Sequence, residues 1–433
     1  MVSILRLGAA VAAGLVLAST SLAQSVMRQG DSRDWTLRFY ANIHAWQDPG
    51  SQETRRGASY DTWEFEQATV VVPWLERTSM HRVDTSRSTL TVRVDDRDAV
   101  PAQANPFRTF NKQHAGSRFA GFAIGPSKAR EIELVLTIPM TSYDVFLDDE
   151  RARAIEWPRG DWPEDALSAL EPQVGIELDL SGEPYEGLER VTQSIDNLIK
   201  RLGTDPKNAP PYLVAKYLTG AVWAHLQIGR SNGLHTSRTG MVEGLDISGV
   251  PLTFVNRRAN PFETCALLAY TFRRAGLPAR VVFGVIADVP TKREDVITQR
   301  TRGKGTYVCW VEFALVEQGR TTWVPIDLNN MMTSSSRAPD ISNVDALARP
   351  WDGFGTIKNS RYLAPFSHHA HPPMTVKAYG SPGFWGIFAT PAEPSRAEQT
   401  IRFDITSTPV TSESRNPAQS PAGEEPAQPR RRR

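Results

Sequence analysis

The sequence predicts an α+β chain in which an antiparallel, β-sandwich-like domain precedes a domain of helices packed on a sheet. Three observations carry this. Between Asp34 and about Asp149, apolar and polar residues alternate with a period near two. From about residue 185 the apolar residues recur at helical spacing instead. Finally, "YVCWVEFALVEQGRTTWVPID", residues 307 to 327, reads as two strands joined by a turn.

Ahead of the β region, residues 1–23 carry one charge, Arg6, then an apolar run from Leu7 to Ala18 and small residues at Ser21 and Ala23. That is the plan of a secretory signal peptide. The run is short of the ~20 residues a spanning helix needs, so no transmembrane anchor is expected after cleavage, and the expected location is periplasmic or secreted. The chain holds 49 Lys and Arg against 48 Asp and Glu, which gives no global field to favour nucleic acid. At the other end, residues 411–433 are too rich in Pro, Ser, Gln and Glu to bury a core and read as a disordered tail. Its last four residues, Arg430 to Arg433, would suit an anionic partner such as lipid headgroups or a cell-wall polymer.

The segments "WTLRFYANIHAW", "WEFEQATVVVPW", "STLTVRVDD" and "REIELVLTIPM" are rich in β-branched and aromatic residues and assign residues 24–155 to an N-terminal β domain. His44 lies in the first of them, far in sequence from any nucleophile, and is read as a strand residue. Residues 156–184, opening "EWPRGDWPEDALSALEPQ", read as a linker.

Beyond it, Leu188, Val191, Ile195, Leu198 and Ile199 share one helical stripe, which predicts a helix over 185–201. Pro210 and Pro211 open a second, whose Trp223 and His225 are read as packing residues. In "RRANPFETCALLAYTFRRAGLPARVVFGV", Asn260 is an N-cap, Pro261 a first-turn proline and Glu263 the acid of a capping box, while Gly276 and Pro278 end the helix. Cys265 therefore falls in the early turns, where unpaired N–H groups and the helix dipole favour a thiolate. Equally, a lone cysteine there can be a small buried hydrophobe.

Cysteine at a helix start, "GLPAR" at 276–280, a buried-type strand, then "W-x-E" on a strand and "WVPID" at 323–327 together resemble the transglutaminase-like superfamily over roughly residues 185–330. The resemblance implies a papain-like domain in which Cys265 is the nucleophile and Asp327 the acidic member of the triad. Trp310 and Glu312 match the H-x-W-x-E strand of the family as cleft or support residues, which puts the histidine position at Val308. No cofactor and no metal are implied; no dense carboxylate loop with calcium spacing is present.

Val308 has no lone pair and cannot take a proton, and no histidine lies between His235 and His368. Loss of a positioned acid or base costs about 10² to 10⁴ in rate. One reading is a degenerate domain that holds a peptide or protein ligand, cell-wall associated, with Trp310 as the floor of its cleft. Another is an active peptidase, amidase or acyl-transferase whose base is recruited from His235 or from His368, His369 and His371 in "SHHAHPP". A third is a Cys265–Cys309 disulfide. Strand alternation is expected to turn Cys309 away from the helix, so that bond would need a bulge.

Residues 331–410 follow as a C-terminal extension in which "TIRFDITS" is a strand and "GSPGFWGIF" a glycine-rich loop. The charged stretch 288–305 is either a lid or a solvated loop.

Overall fold

The computed structural model describes residues 25–45, 62–99, 118–229 apart from 180 and 204, 233–236, 242–287, 298–301, 307–358 apart from 336, 362–368, 386–390 and 397–407. The leader at 1–23, His369, His371, the tail and most of the 288–305 stretch lie outside these residues.

The alternating segments form an antiparallel sheet centred on two long strands, Met27–Ala45 and Glu131–Leu147. Ile132, Leu134, Leu136, Ile138 and Met140 point into the core from one, and Trp35, Leu37, Phe39, Ala41 and Ile43 from the other. Their register sets Leu37 opposite Ile138 and Phe39 opposite Leu136, so period-two patterning and pairing agree. Thr89–Val94 and His81–Val83 flank Glu131–Leu147. A second sheet pairs Gln67–Trp74 with Arg118–Ile124.

The sheets of this β region are completed by strands from beyond residue 155. Ala397–Ser407 pairs with Met27–Ala45 along eleven positions, from Trp35↔Ser407 to Ala45↔Ala397. Thr298–Thr301, from the charged stretch, pairs in turn with Ala397–Ser407. Gly386–Thr390 completes the second sheet against Gln67–Trp74. The extension thus supplies strands that the N-terminal region lacks, because its long strand at 27–45 would otherwise leave an open edge.

A third, four-stranded antiparallel sheet runs in the order Arg320–Ile326, Tyr307–Glu317, Ala279–Ile286, Tyr362–His368. On one face lie the helices, of which Pro261–Arg274 is central; Phe262 in its first turn stacks on Phe283 with ring centres 4.9 Å apart. Against the other face pack Leu75, Met80 and Val145 of the β region and Ile357, meeting Val282 and Trp310. The sheet is therefore the middle layer of three.

The predicted stripe on Leu188–Ile199 is its buried face: Val191, Ile195 and Ile199. Pro211–His225 is enclosed almost all round and carries a fully buried Lys216. Its Nζ reaches Asp149 Oδ1 (3.2 Å) and the Arg349 carbonyl (2.5 Å) and lies over the rings of Tyr212, Trp351 and Phe354. A buried ammonium needs such partners, and here three regions of the chain provide them. The stretch read as a linker is likewise packed: Ile176 is fully buried, Glu177 pairs with Arg273 inside the helix layer, and Trp157 donates to the Ala209 carbonyl at 2.7 Å.

Between the β region and the middle sheet sits His81, fully enclosed, its Nδ1 2.7 Å from Thr78 Oγ1. Burial drives its pKa down to about 3, opposed by Glu312 and assisted by Arg280. A histidine depressed in the fold gives stability that is complete above the unfolded pKa near 6.5 and lost as pH falls toward 3. Stability should therefore fall by about 1.4 kcal/mol per pH unit below 6.5 on account of this residue. Urea unfolding at pH 7.5, 6.0 and 5.0 should show that slope in the natural chain and a shallower one in His81→Asn.

Candidate functional site

The helix Pro261–Arg274 begins as its sequence dictates. Asn260 Oδ1 accepts from the Glu263 N–H at 2.9 Å, and Glu263 Oε2 accepts from the Asn260 N–H at 2.9 Å, a complete capping box. Glu263 Oε1 also accepts from the Ser248 N–H at 3.1 Å. A carboxylate thus already stands at the positive end of the helix. The Asn260 side chain donates onward to the Asp246 carbonyl at 2.8 Å, which fastens the hairpin of Leu234–Thr236 and Val242–Leu245 to the same cap.

Cys265 follows in the second turn with no exposed surface. Burial pushes its thiol well above the ordinary range, the neighbouring Cys309 and Asp327 add to the rise, and a hydrogen bond from Asn329 works against it. The sequence expectation that the helix start would favour a thiolate fails here for two reasons. The dipole is served by Glu263, and desolvation of the anion outweighs what remains.

The strand Tyr307–Glu317 presents its two faces to different layers. Cys309, Val311 and Phe313 join the main core with Cys265, whereas Val308 and Trp310 pack against Leu75, Met80, Val145, Val282 and Ile357 on the far side. This corrects two expectations. Cys309 faces the cysteine helix without any bulge, and Trp310, fully buried on the opposite face, cannot floor a cleft beside Cys265. Alternation holds along the strand, but the helix lies on the side of Cys309, Val311 and Phe313. Cys265 and Cys309 are both free thiols in this structure.

Glu312 shares the face of Trp310 and is fully buried. It receives Arg280 Nε and NH2 at 3.0 and 2.7 Å, and the Ser79 N–H and Oγ at 2.9 and 2.5 Å. Burial alone would raise its pKa; Arg280 and Ser79 more than offset this and hold it below the usual carboxylate value. Arg280 in turn lies 3.8 Å from the ring of Trp323. The two most specific sequence runs, "GLPAR" and "WVPID", therefore meet where Arg280, paired with Glu312, lies over Trp323, while Asp327 at the end of the second run acts on the thiol.

Asp327, also buried, caps the short helix Leu328–Ser334 by accepting the Asn330 N–H at 3.1 Å. The next side chain but one, Asn329, reaches the sulfur: its Nδ2 lies 3.4 Å from Cys265 Sγ, 3.0 Å from the Pro261 carbonyl and 3.4 Å from the Cys309 carbonyl. Asn329 belongs to no motif of the strand or the cysteine helix; its only local signal is that Asp327, Leu328, Asn329 and Asn330 form a helix-start pattern. Of the alternative bases, His235 lies on the hairpin fastened to the Asn260 cap, and His368 stands in register with Val282 at the sheet edge. Among the described residues, no three His, Cys, Asp or Glu side chains are grouped to hold a metal.

Removing the charge of Glu312 while leaving Arg280 should destabilise the fold by about 3 to 5 kcal/mol, the cost of an uncompensated buried cation. Ser79→Ala should cost about 1 kcal/mol. Urea unfolding of Glu312→Gln and Ser79→Ala checks both, and equal costs would refute the charge-based account.

Residues 243–328 match the family model of the transglutaminase-like superfamily. Among solved structures, the chain is similar to a suspected cysteine protease from Cytophaga hutchinsonii, at 11% identity over 88% of this chain and 92% of that one, with a TM-score of 0.45. It is also similar to the periplasmic domain of TgpA from Pseudomonas aeruginosa, at 15% identity over 70% of this chain and 89% of that one, with a TM-score of 0.29. A search of curated proteins found no match. The family match coincides with the capped cysteine helix and the antiparallel strands beside it, and it is over this part that the chain is similar to the transglutaminase-like superfamily.

Proposed function

We propose that the protein is an exported transglutaminase-like module of the cell envelope that binds a peptide or protein ligand without turning it over. The observation that carries this is the surroundings of Cys265. Its sulfur is fully buried and meets the Asn329 amide, with Cys309 and Asp327 as the nearby acidic groups. An amide cannot accept a proton from a thiol, and a neighbouring carboxylate opposes the thiolate. The composition of residues 1–23 supports export. No helix among the described residues is long and apolar enough to cross a membrane.

A second reading, an active thiol enzyme with a recruited base, is favoured by one observation. The hairpin bearing His235 is fastened to the cap of the cysteine helix through Asn260 and Asp246. Replacing His235, and separately His368, His369 and His371, by alanine should leave any amide-hydrolysing or acyl-transfer activity of the natural chain unchanged. Its loss in one of them would establish this second reading instead.

The pH dependence of Cys265 alkylation by iodoacetamide, with peptide mapping to separate it from Cys309, tests the main reading. The rate should still be rising at pH 9, as a thiol at or above the ordinary pKa of ~8.5 requires. A rate that levels off below pH 7 would mean an activated thiolate and would overturn it.

A further inference from the structure

Asn329 is half-buried, while Cys265 behind it is fully enclosed. Pro261, whose carbonyl it contacts, is also only half-buried. Asn329 thus keeps partial exposure while its carboxamide touches the enclosed sulfur. Its nitrogen sits where three acceptors from separate turns and strands converge: the Pro261 carbonyl, Cys265 Sγ and the Cys309 carbonyl. A carboxamide nitrogen has two N–H donors, enough for the two carbonyls or for one carbonyl and the sulfur, and the three separations of 3.0 to 3.4 Å fit such sharing. The pairing between Tyr307–Glu317 and Arg320–Ile326 ends at Val311↔Ile326, so the Cys309 carbonyl lies past the last ladder pair and takes a side-chain donor instead.

We infer that Asn329 is a built-in occupant of the space beside the Cys265 thiol: its carboxamide fills a position lined by two backbone carbonyls and the sulfur, which a ligand must take over, with an N–H group of its own, to reach Cys265. This rests on the reading of the region as a binding site, and it adds how access to that site is regulated. The group holding Asn329 in place is its own helix, started by the Asp327 cap and buried through Leu328, Met331 and Met332. Those contacts do not involve the carboxamide, so Asn329 can swing out while the helix stays. An ammonium or amide N–H can replace it. A carboxylate is a poor substitute, because it would face two carbonyl oxygens with only the weak S–H donor of the neutral thiol to meet it.

The test is the alkylation of Cys265 by iodoacetamide at pH 8.5 in the full chain, in the natural protein and in Asn329→Ala, with peptide mapping. The variant should react roughly tenfold faster, the effect of losing one net hydrogen bond that closes the space beside the thiol. Formamide, the fragment deleted by the substitution, should slow the variant back toward the natural rate, and sodium formate, which has no N–H, should not. A folded variant that reacts no faster, or one on which formamide and formate act alike, overturns the inference. Should the variant not fold, the natural chain decides. Alkylation that rises with urea much less steeply than global unfolding supports a local gate, and alkylation as steep as global unfolding refutes it. The pH at which the rate levels off judges whether the thiol is activated, while rescue of the variant by formamide and not by formate judges the occupant independently of the thiol pKa, which the Asn329 hydrogen bond also lowers, so the two ideas can fail separately.

Discussion

The buried carboxylate of Glu312 is the point on which the assembly of layers depends. It lies inside the protein on the middle sheet and is met from within that sheet by Arg280 and from the β region by both donors of Ser79. Taking a carboxylate out of water costs several kcal/mol unless each of its acceptor sites is filled, and filling them here needs two layers at once. The same strand ends at Glu317, which accepts the Val26 N–H at 3.0 Å and pairs with Arg151 at 2.6 Å. One strand thus anchors the β region at two places through charge, and the apolar contacts of Trp310 and Val282 with Leu75, Met80 and Val145 fill the space between. The two regions are neighbours because their polar groups are complete only together.

This arrangement explains why the face of the strand matters so much for the thiol. With Val308, Trp310 and Glu312 committed to the β region, the face toward the cysteine helix is left to Cys309, Val311 and Phe313. Every one of these is apolar or a thiol, and the Asp327 carboxylate that acts on the sulfur has the wrong sign to favour a second anion. A helix start is often an activating place for cysteine, but the effect is small compared with desolvation once the sulfur has no exposed surface and Glu263 already occupies the positive end. Packing, not a missing contact, sets the character of the site.

Much was legible in the sequence because local rules and burial agree in those stretches. The cap at Asn260, the stripe on Leu188–Ile199 and the alternation in Glu131–Leu147 are all local patterns that tertiary packing preserves. The extension was not legible in the same way. A strand such as Ala397–Ser407 can be recognised from its own residues, but its partner at Met27–Ala45 lies more than three hundred positions earlier, and no local pattern names it. The stretch 156–184 misled for a related reason: its Pro, Gly and Trp content looks like a connector, yet Ile176 and Glu177 are buried by helices far along the chain.

What the sequence by itself determined is the set of elements, the capped cysteine helix and the absence of a histidine from the motif strand. These follow from hydrogen-bond capping, side-chain periodicity and residue chemistry, which act over a few positions. The tertiary structure alone decided which face of that strand meets Cys265, that Arg280 and Glu312 form the joint between layers, and that Asn329 reaches the sulfur. Period two tells which side chains share a face but never which neighbour that face will meet. That choice is made by the layers packed on either side, through burial and the satisfaction of polar groups that lie far apart in the chain.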